Sequence, residues 1–197
     1  MSDDKTIAVY DQKAADYRQL LDADPAENAA LADFIAALPV GARVLDLGCG
    51  PGTWTRPMLA AGLRVDAVDA SSEMVKEAST IPGLTVWQAT FDALHGEDLY
   101  EGIWANFSLL HAPKTEMPGH LARLARLLRA GGVLHIGLKE GQGEARDALD
   151  RFYAYYTPDE ITGLLQPLGF QVSGLRRGAD KGLDGTVAPW FTLRAHG

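Results

Sequence analysis

Nine residues constrain this chain more than any others: Val44-Leu45-Asp46-Leu47-Gly48-Cys49-Gly50-Pro51-Gly52. A short apolar run that meets an acid and then glycines on alternate positions reads as a buried strand turning sharply into a helix. Such a turn brings bare backbone against a ligand. Glycine leaves room for that approach and tolerates the positive φ values it demands.

The flanking sequence repeats a strand-then-helix rhythm. Strands are expected at Arg43–Leu47, Arg64–Asp69, Leu84–Gln88, Gly102–Phe107 and Val133–Leu138. Helices are expected between them: Thr53–Ala61, where Pro57 is tolerable only near the first turn, then one capped by Ser71 or Ser72, then Pro118–Ala130 with a buried stripe at Leu121, Leu124, Ala125 and Leu128. Upstream, Leu31, Phe34, Ile35 and Leu38 give a helix over Ala26–Leu38, and Tyr10, Ala14, Tyr17 and Leu21 give an amphipathic cap over residues 1–25, closed by Pro25. Downstream, Lys139–Arg151 is rich in glycine and charge, Arg151, Phe152, Tyr153, Tyr155 and Tyr156 form an aromatic cluster with one cation, and residues 139–156 together read as a surface loop with a short helix on the substrate side. Thr157-Pro158-Asp159-Glu160 then opens a helix with a capping box. Two final strands, Phe170–Arg176 and Val187–Leu193, bracket a loop holding Arg177, Asp180, Lys181 and Asp184. The pattern describes a single α/β domain over 1–197 with a mostly parallel sheet and an antiparallel hairpin at one edge.

A chain of 197 residues, 47% hydrophobic, suits one domain with a full core. Its net charge of -8 argues against nucleic acid or an anionic membrane surface as partner, since both would be repelled. Cys49 is the only cysteine, which rules out an internal disulfide and a cysteine-based zinc site. It reads as a small residue filling the tight turn. No apolar run reaches the ~20 residues a bilayer span needs, and the polar start does not read as a signal peptide. A cytoplasmic enzyme acting on a small molecule, as a monomer or homodimer, is the expectation.

In sheets of this kind the ligand sits beyond the carboxyl ends of the strands. Asp69 ends the second strand, where a carboxylate can accept both hydroxyls of a ribose. A dinucleotide fingerprint beginning at Gly48 and Gly50 needs glycine at position 53, and the chain has Thr53. No glycine-rich loop ends in Gly-Lys-Ser/Thr, so a nucleoside triphosphatase is not indicated either. What remains is Asp46-x-Gly48-x-Gly50-x-Gly52.

With that motif the chain resembles the class I S-adenosylmethionine-dependent methyltransferases. Val65-Asp66-Ala67-Val68-Asp69, the run Trp104–His111 and Leu127-Leu128-Arg129-Ala130-Gly131-Gly132-Val133 resemble the family's later motifs in order and spacing. The resemblance implies a three-layer, Rossmann-like seven-stranded sheet in the order 3-2-1-4-5-7-6 with strand 7 antiparallel. It also implies S-adenosylmethionine as cofactor. Carried over by position, Gly48 and Gly50 meet its methionine part, Asp69 its ribose, and Ala70 and Met74 its adenine. Asp46 orients the glycine loop or the cofactor amine, which backbone at Asn106 also meets. The family often has an acid after strand three. Here Thr90 stands at that position, followed by Phe91 and Asp92, so the adenine contact falls to one of these.

Direct methyl displacement needs alignment of donor and acceptor, with no metal, and a general base only when the acceptor must lose a proton. His111, Lys139 and Tyr153 are the candidates for that role, beside Asp150 and Tyr155. Tyr10 and Tyr17 can close the N-terminal cap over the cofactor. His135, inside strand five, reads as a satisfied core residue. Asn106 is followed by Phe107-Ser108 and not by the Pro-Pro-aromatic run of methyltransferases acting on amino groups of bases and proteins, which leaves a small-molecule acceptor. Two other readings share parts of this pattern: a noncatalytic sensor of S-adenosylmethionine or its product, and an oxidoreductase using a nicotinamide cofactor.

Overall fold

The computed structural model describes residues 3–20 and 28–197. Leu21, Pro25 and the expected helix start at Ala26 lie outside the described residues. The elements run α1 (Asp4–Gln12), α2 (Ala14–Leu20), α3 (Ala29–Ala36), β1 (Arg43–Leu47), α4 (Thr55–Ala60), β2 (Arg64–Asp69), α5 (Ser72–Ala78), β3 (Thr85–Gln88), β4 (Tyr100–Asn106), α6 (Met117–Leu127) and β5 (Leu128–Lys139). They continue with β6 (Glu144–Arg146), β7 (Phe152–Ala154), α7 (Pro158–Leu165), β8 (Gln171–Lys181) and β9 (Val187–His196).

Seven strands form one sheet in the order β3-β2-β1-β4-β5-β9-β8. The first five are mutually parallel, and β9 runs antiparallel to both of its neighbours. This is the 3-2-1-4-5-7-6 sheet, with β8 and β9 as its sixth and seventh strands. Alternation along each strand splits the core between two helical layers. Val44, Val65 and Trp104 pack with Leu31 and Phe34 of α3 and Met58 of α4. Leu45, Leu47, Ile103 and Ile136 pack with Leu121 and Leu124 of α6 and Ile161 and Leu165 of α7. Each face of the parallel sheet is thereby covered, as such sheets require. Among the described residues no helix is long and apolar enough to cross a membrane.

Three stretches differ from the sequence expectation. The helix expected to reach Ala130 stops at Leu127, because Leu128 already pairs with Tyr100 of β4 and Gly131 turns the chain at φ 74°. The loop expected around Arg177–Asp184 is mostly strand. Arg177 pairs with Glu140, and Trp190 Nε1 donates to Asp180 at 2.7 Å, so polar partners carry the β8–β9 hairpin outward. The short helix expected within 139–156 is instead the β6–β7 hairpin. Its turn is organised by Asp147, which accepts from the backbone of Leu149 and Arg151 at 3.0 and 2.9 Å.

Candidate functional site

The glycine loop follows from local geometry. Gly48, Gly50 and Gly52 sit at φ 71°, 55° and 83°, where side chains are strained. At Gly48 there is also no room, since a Cβ would lie 2.3 Å from that of Ser108. The Gly48 and Cys49 amides both donate to the Val68 carbonyl, at 2.8 and 3.0 Å, which ties the loop to the end of β2.

Two acids hold this junction in different ways. Asp46 is buried and accepts a 2.6 Å hydrogen bond from Thr55 Oγ1, fixing the loop to the first residue of α4. Burial pushes its carboxyl up to about 7. Asp69 takes one backbone N–H on each oxygen, from Gly50 and from Ser71, both at 2.9 Å. Burial raises its pKa also. The Ala70 amide is a third donor, and the carboxylate keeps acceptor capacity beyond these. Ser71 then caps α5, accepting from the Met74 amide at 3.2 Å.

A cleft opens beyond these strand ends, under α1 and α2. It encloses about 770 Å³ including its open mouth, the scale of small-ligand pockets, ~300–1,000 Å³. Of the residues singled out in the sequence, Tyr17, Gly48, Gly50, Asp69, Ala70, Met74, Phe91, Asn106 and His111 line it together. Asp46, Thr90, Lys139 and Tyr153 lie outside its lining. Thr90 is engaged with Asp92, whose carboxyl it holds below the ordinary value. The side chain of Asn106 faces His135, whose Nε2 lies 3.0 Å from Oδ1. The His135 ring stacks 3.6 Å from Trp104, and burial lowers its pKa to about 3, so it is a neutral core histidine. Phe107, next in the chain, is held at φ 56° with its amide donating to the Gly137 carbonyl at 2.9 Å. Strain of this kind gathers at ligand sites.

Some lining residues were not singled out. Asp3, Thr6 and Ile7 share one helical stripe with Tyr10 and face the cleft from α1; that spacing was legible. Trp54 lines it from the start of α4, two residues past Gly52. Ser108 lines it too, and its buried hydroxyl has no hydrogen-bond partner. No sequence signal marks that.

His111 is held from both ring nitrogens. Nδ1 lies 2.7 Å from the Phe152 carbonyl oxygen and Nε2 lies 2.9 Å from the Tyr10 hydroxyl. Burial lowers its pKa to about 4, and the Arg151 and Lys139 charges add to the effect. Tyr153 tilts against it at 4.7 Å, and Lys139 Nζ lies 3.8 Å over the Tyr153 ring. Lys139 and Tyr153 therefore back His111 from behind the cleft wall. Burial lowers the Lys139 pKa as well.

Comparison with known proteins agrees with this construction. Residues 44–132 match the family described as "Methyltransferase domain". Trans-aconitate 2-methyltransferase of Methylobacterium nodulans is 34% identical over 132 residues, 64% of this chain and 50% of that protein. A ubiquinone biosynthesis O-methyltransferase of Xanthomonas campestris is 32% identical over 114 residues, 53% of this chain and 46% of that one. The solved 1,6-didemethyltoxoflavin-N1-methyltransferase of Burkholderia thailandensis superposes with a TM-score of 0.77 at 27% identity, covering 96% of this chain and 87% of its own. The chain spans about half the length of the curated relatives it matches. Sheet order, glycine loop and these likenesses together match the chain to the class I S-adenosylmethionine-dependent methyltransferases.

Proposed function

We propose that the chain methylates a small-molecule acceptor held under α1, and that the cleft residues named above bind the cofactor. The observation that carries the reading is Asp69: a carboxylate beside the glycine loop, anchored by the Gly50 and Ser71 amides with Ala70 beside them, with acceptor capacity left for a ribose hydroxyl. The other features of the cleft fit the same ligand. Gly48 and Gly50 offer close backbone approach to its methionine part, with Asn106 backbone beside them. Ala70, Met74 and Phe91 give an apolar wall for adenine, and the unpartnered Ser108 hydroxyl is a donor awaiting a ligand acceptor. Asp46, being bonded to Thr55, orients the loop.

S-adenosylmethionine supplies an electrophilic methyl group on a sulfonium. The chain's task is to align an acceptor with it and keep water out. Tyr10, Tyr17, Phe107 and His111 wall the cleft with rings that suit a small, flat acceptor. The similar proteins are named for small molecules, trans-aconitate and 1,6-didemethyltoxoflavin among them, which supports the same class here. The net charge of -8 favours such an acceptor over nucleic acid. On this reading the chain works as one domain, with α1 and α2 as the cap and residues 139–156 on the acceptor side.

The test is calorimetric titration with S-adenosylhomocysteine, followed by measurement of its formation from S-adenosylmethionine across a panel of hydroxylated, carboxylated and aminated metabolites. Binding with turnover of a panel member is expected. Tighter binding of NAD than of S-adenosylmethionine would sink the cofactor reading, and binding without turnover anywhere in the panel would sink the transfer reading.

A further inference from the structure

One acceptor that cannot donate fixes the direction of every hydrogen bond around His111. The Phe152 carbonyl can only accept, so Nδ1 carries a hydrogen, and in the neutral ring that burial favours Nε2 presents a lone pair. Tyr10 must then donate its hydroxyl hydrogen to Nε2. The Tyr10 oxygen accepts in turn from Arg151 Nη1 at 3.1 Å and from the Tyr153 hydroxyl, whose place an acceptor hydroxyl must take. Arg151 is clamped by Asp147, which takes hydrogen bonds from its Nε at 2.9 Å and its Nη2 at 2.6 Å. Those two side chains are only 2% and 5% exposed. The result is a one-way chain from Arg151 through Tyr10 to His111. Of these residues only Tyr10 and His111 line the cleft.

We propose that Tyr10 is the proton shuttle for methyl transfer to a hydroxyl-bearing acceptor, handing the acceptor's proton to His111. The inference rests on the methyltransferase reading above and narrows its acceptor class. The acceptor O–H bond breaks as its oxygen bonds the methyl carbon, and the electron pair of the broken C–S bond stays on sulfur. The acceptor's proton goes to the Tyr10 oxygen, and the proton already on Tyr10 moves to Nε2. The imidazolium so formed keeps its Nδ1–H on the Phe152 carbonyl.

The charge balance makes the step feasible. Arg151 and Lys139 oppose a charged His111, whereas Asp147 favours one. A sulfonium in the same cleft opposes it further. Transfer removes that sulfonium charge as the imidazolium appears, so the count of positive charges in the cleft is unchanged. His111 is thus a poor base before the reaction and a competent one during it. Direct attack on Nε2 is a different mechanism, because the acceptor would first have to displace Tyr10 from that lone pair and from Arg151.

Two measurements on the full chain test this. Nitrogen-15 NMR of histidine-labelled protein with S-adenosylhomocysteine bound should show His111 neutral at pH 7 with its hydrogen on Nδ1, and an Nε2 resonance that moves in Tyr10→Phe. A hydrogen on Nε2, or an imidazolium at pH 7, overturns the proposal. With the acceptor found in the metabolite panel, Tyr10→Phe should lower kcat by about 10²–10⁴-fold, the usual worth of acid–base catalysis, while S-adenosylhomocysteine binds as before. Unchanged or raised kcat in Tyr10→Phe, or an amine as the acceptor, also overturns it. Failure of the unaltered chain to bind S-adenosylhomocysteine would instead sink the underlying cofactor reading.

Discussion

Asp46 and Asp69 are both buried acids at the head of the sheet, yet their partners give them opposite uses. Asp69 is stabilised by amides and keeps acceptor capacity facing the cleft. Replacing it with alanine should weaken S-adenosylmethionine binding by about 1.5–3 kcal/mol, the scale of charge-assisted hydrogen bonds; calorimetry reads this directly, and an unchanged dissociation constant removes Asp69 from the site. Asp46 accepts from Thr55 Oγ1, its one side-chain partner among the described residues, and burial raises its carboxyl from 3.8 to about 7. Between those values the unfolded chain has lost the proton that the folded chain keeps. Stability therefore falls as pH rises from about 4 to about 7, and below that window no cost remains. Asp46→Asn keeps an acceptor for Thr55 and abolishes the cost. Its melting temperature relative to the parent should climb across the window, and a difference independent of pH would contradict the buried-acid account.

At the scale of elements, the short pieces around the cleft depend on polar pairs more than on apolar burial. The β6–β7 hairpin has strands of three residues each, too short to be stable alone. What fixes it is the buried Arg151–Asp147 pair, with support from α1 through the Phe152 amide, which donates to Thr6 Oγ1 at 2.8 Å. Arg151→Met would strand the Asp147 carboxylate, and urea denaturation should show a loss of about 3–5 kcal/mol, largely recovered in Arg151→Met/Asp147→Asn, which keeps an acceptor for the Leu149 and Arg151 amides. A small loss in the single variant would mean that water reaches Asp147. Of the other pairs that tie α1 to this hairpin, Lys5–Asp150 is exposed and contributes little, whereas Asp3–Arg146 is half-buried and bidentate. The same physics decides what the sequence revealed. The Thr157–Glu160 capping box is local and announced α7, with both of its hydrogen bonds formed. β1 and β2 were legible to the residue because apolar runs end there at glycine or an acid. The hairpin was not legible, since β6 and the turn are polar, β7 is only three residues long, and the defining Arg151–Asp147 pair closes only after folding. Nor was the onset of β5 at Leu128, because helix periodicity continues past the point where β4 captures the chain.

The whole molecule was readable where its order is carried by contiguous motifs. Each βα turn writes its own signature, and the turns after β1, β2 and β4 fall side by side in a sheet of this topology, which is why Gly48, Asp69 and Asn106 meet in one cleft. Residues brought in by long-range packing were read less fully: Trp54, Ser108 and the Asp3–Thr6–Ile7 face of α1 have roles only once the cap lies over the sheet. That cap gives the molecule a further testable property. Asp11 of α1 accepts from Ser71 Oγ at 2.6 Å, while the start of the same helix is tied to the β6–β7 hairpin, so α1 bridges the cleft from the end of β2 to the hairpin behind His111. A ligand beneath it should therefore stabilise the sheet ends and the cap together as one cooperative unit. Saturation at a hundredfold excess over the dissociation constant adds about 2.7 kcal/mol to folding, which for a chain of this size is ~5–11 °C of melting temperature at ~2–4 °C per kcal/mol. S-adenosylhomocysteine should produce a shift of that size in a single transition and slow amide exchange in α1 as well as in the β1–α4 loop, and at the same concentration Asp69→Ala should gain only about 0.3–1.3 kcal/mol. Protection confined to the loop would separate the cap from the binding site and leave α1 with a structural role only.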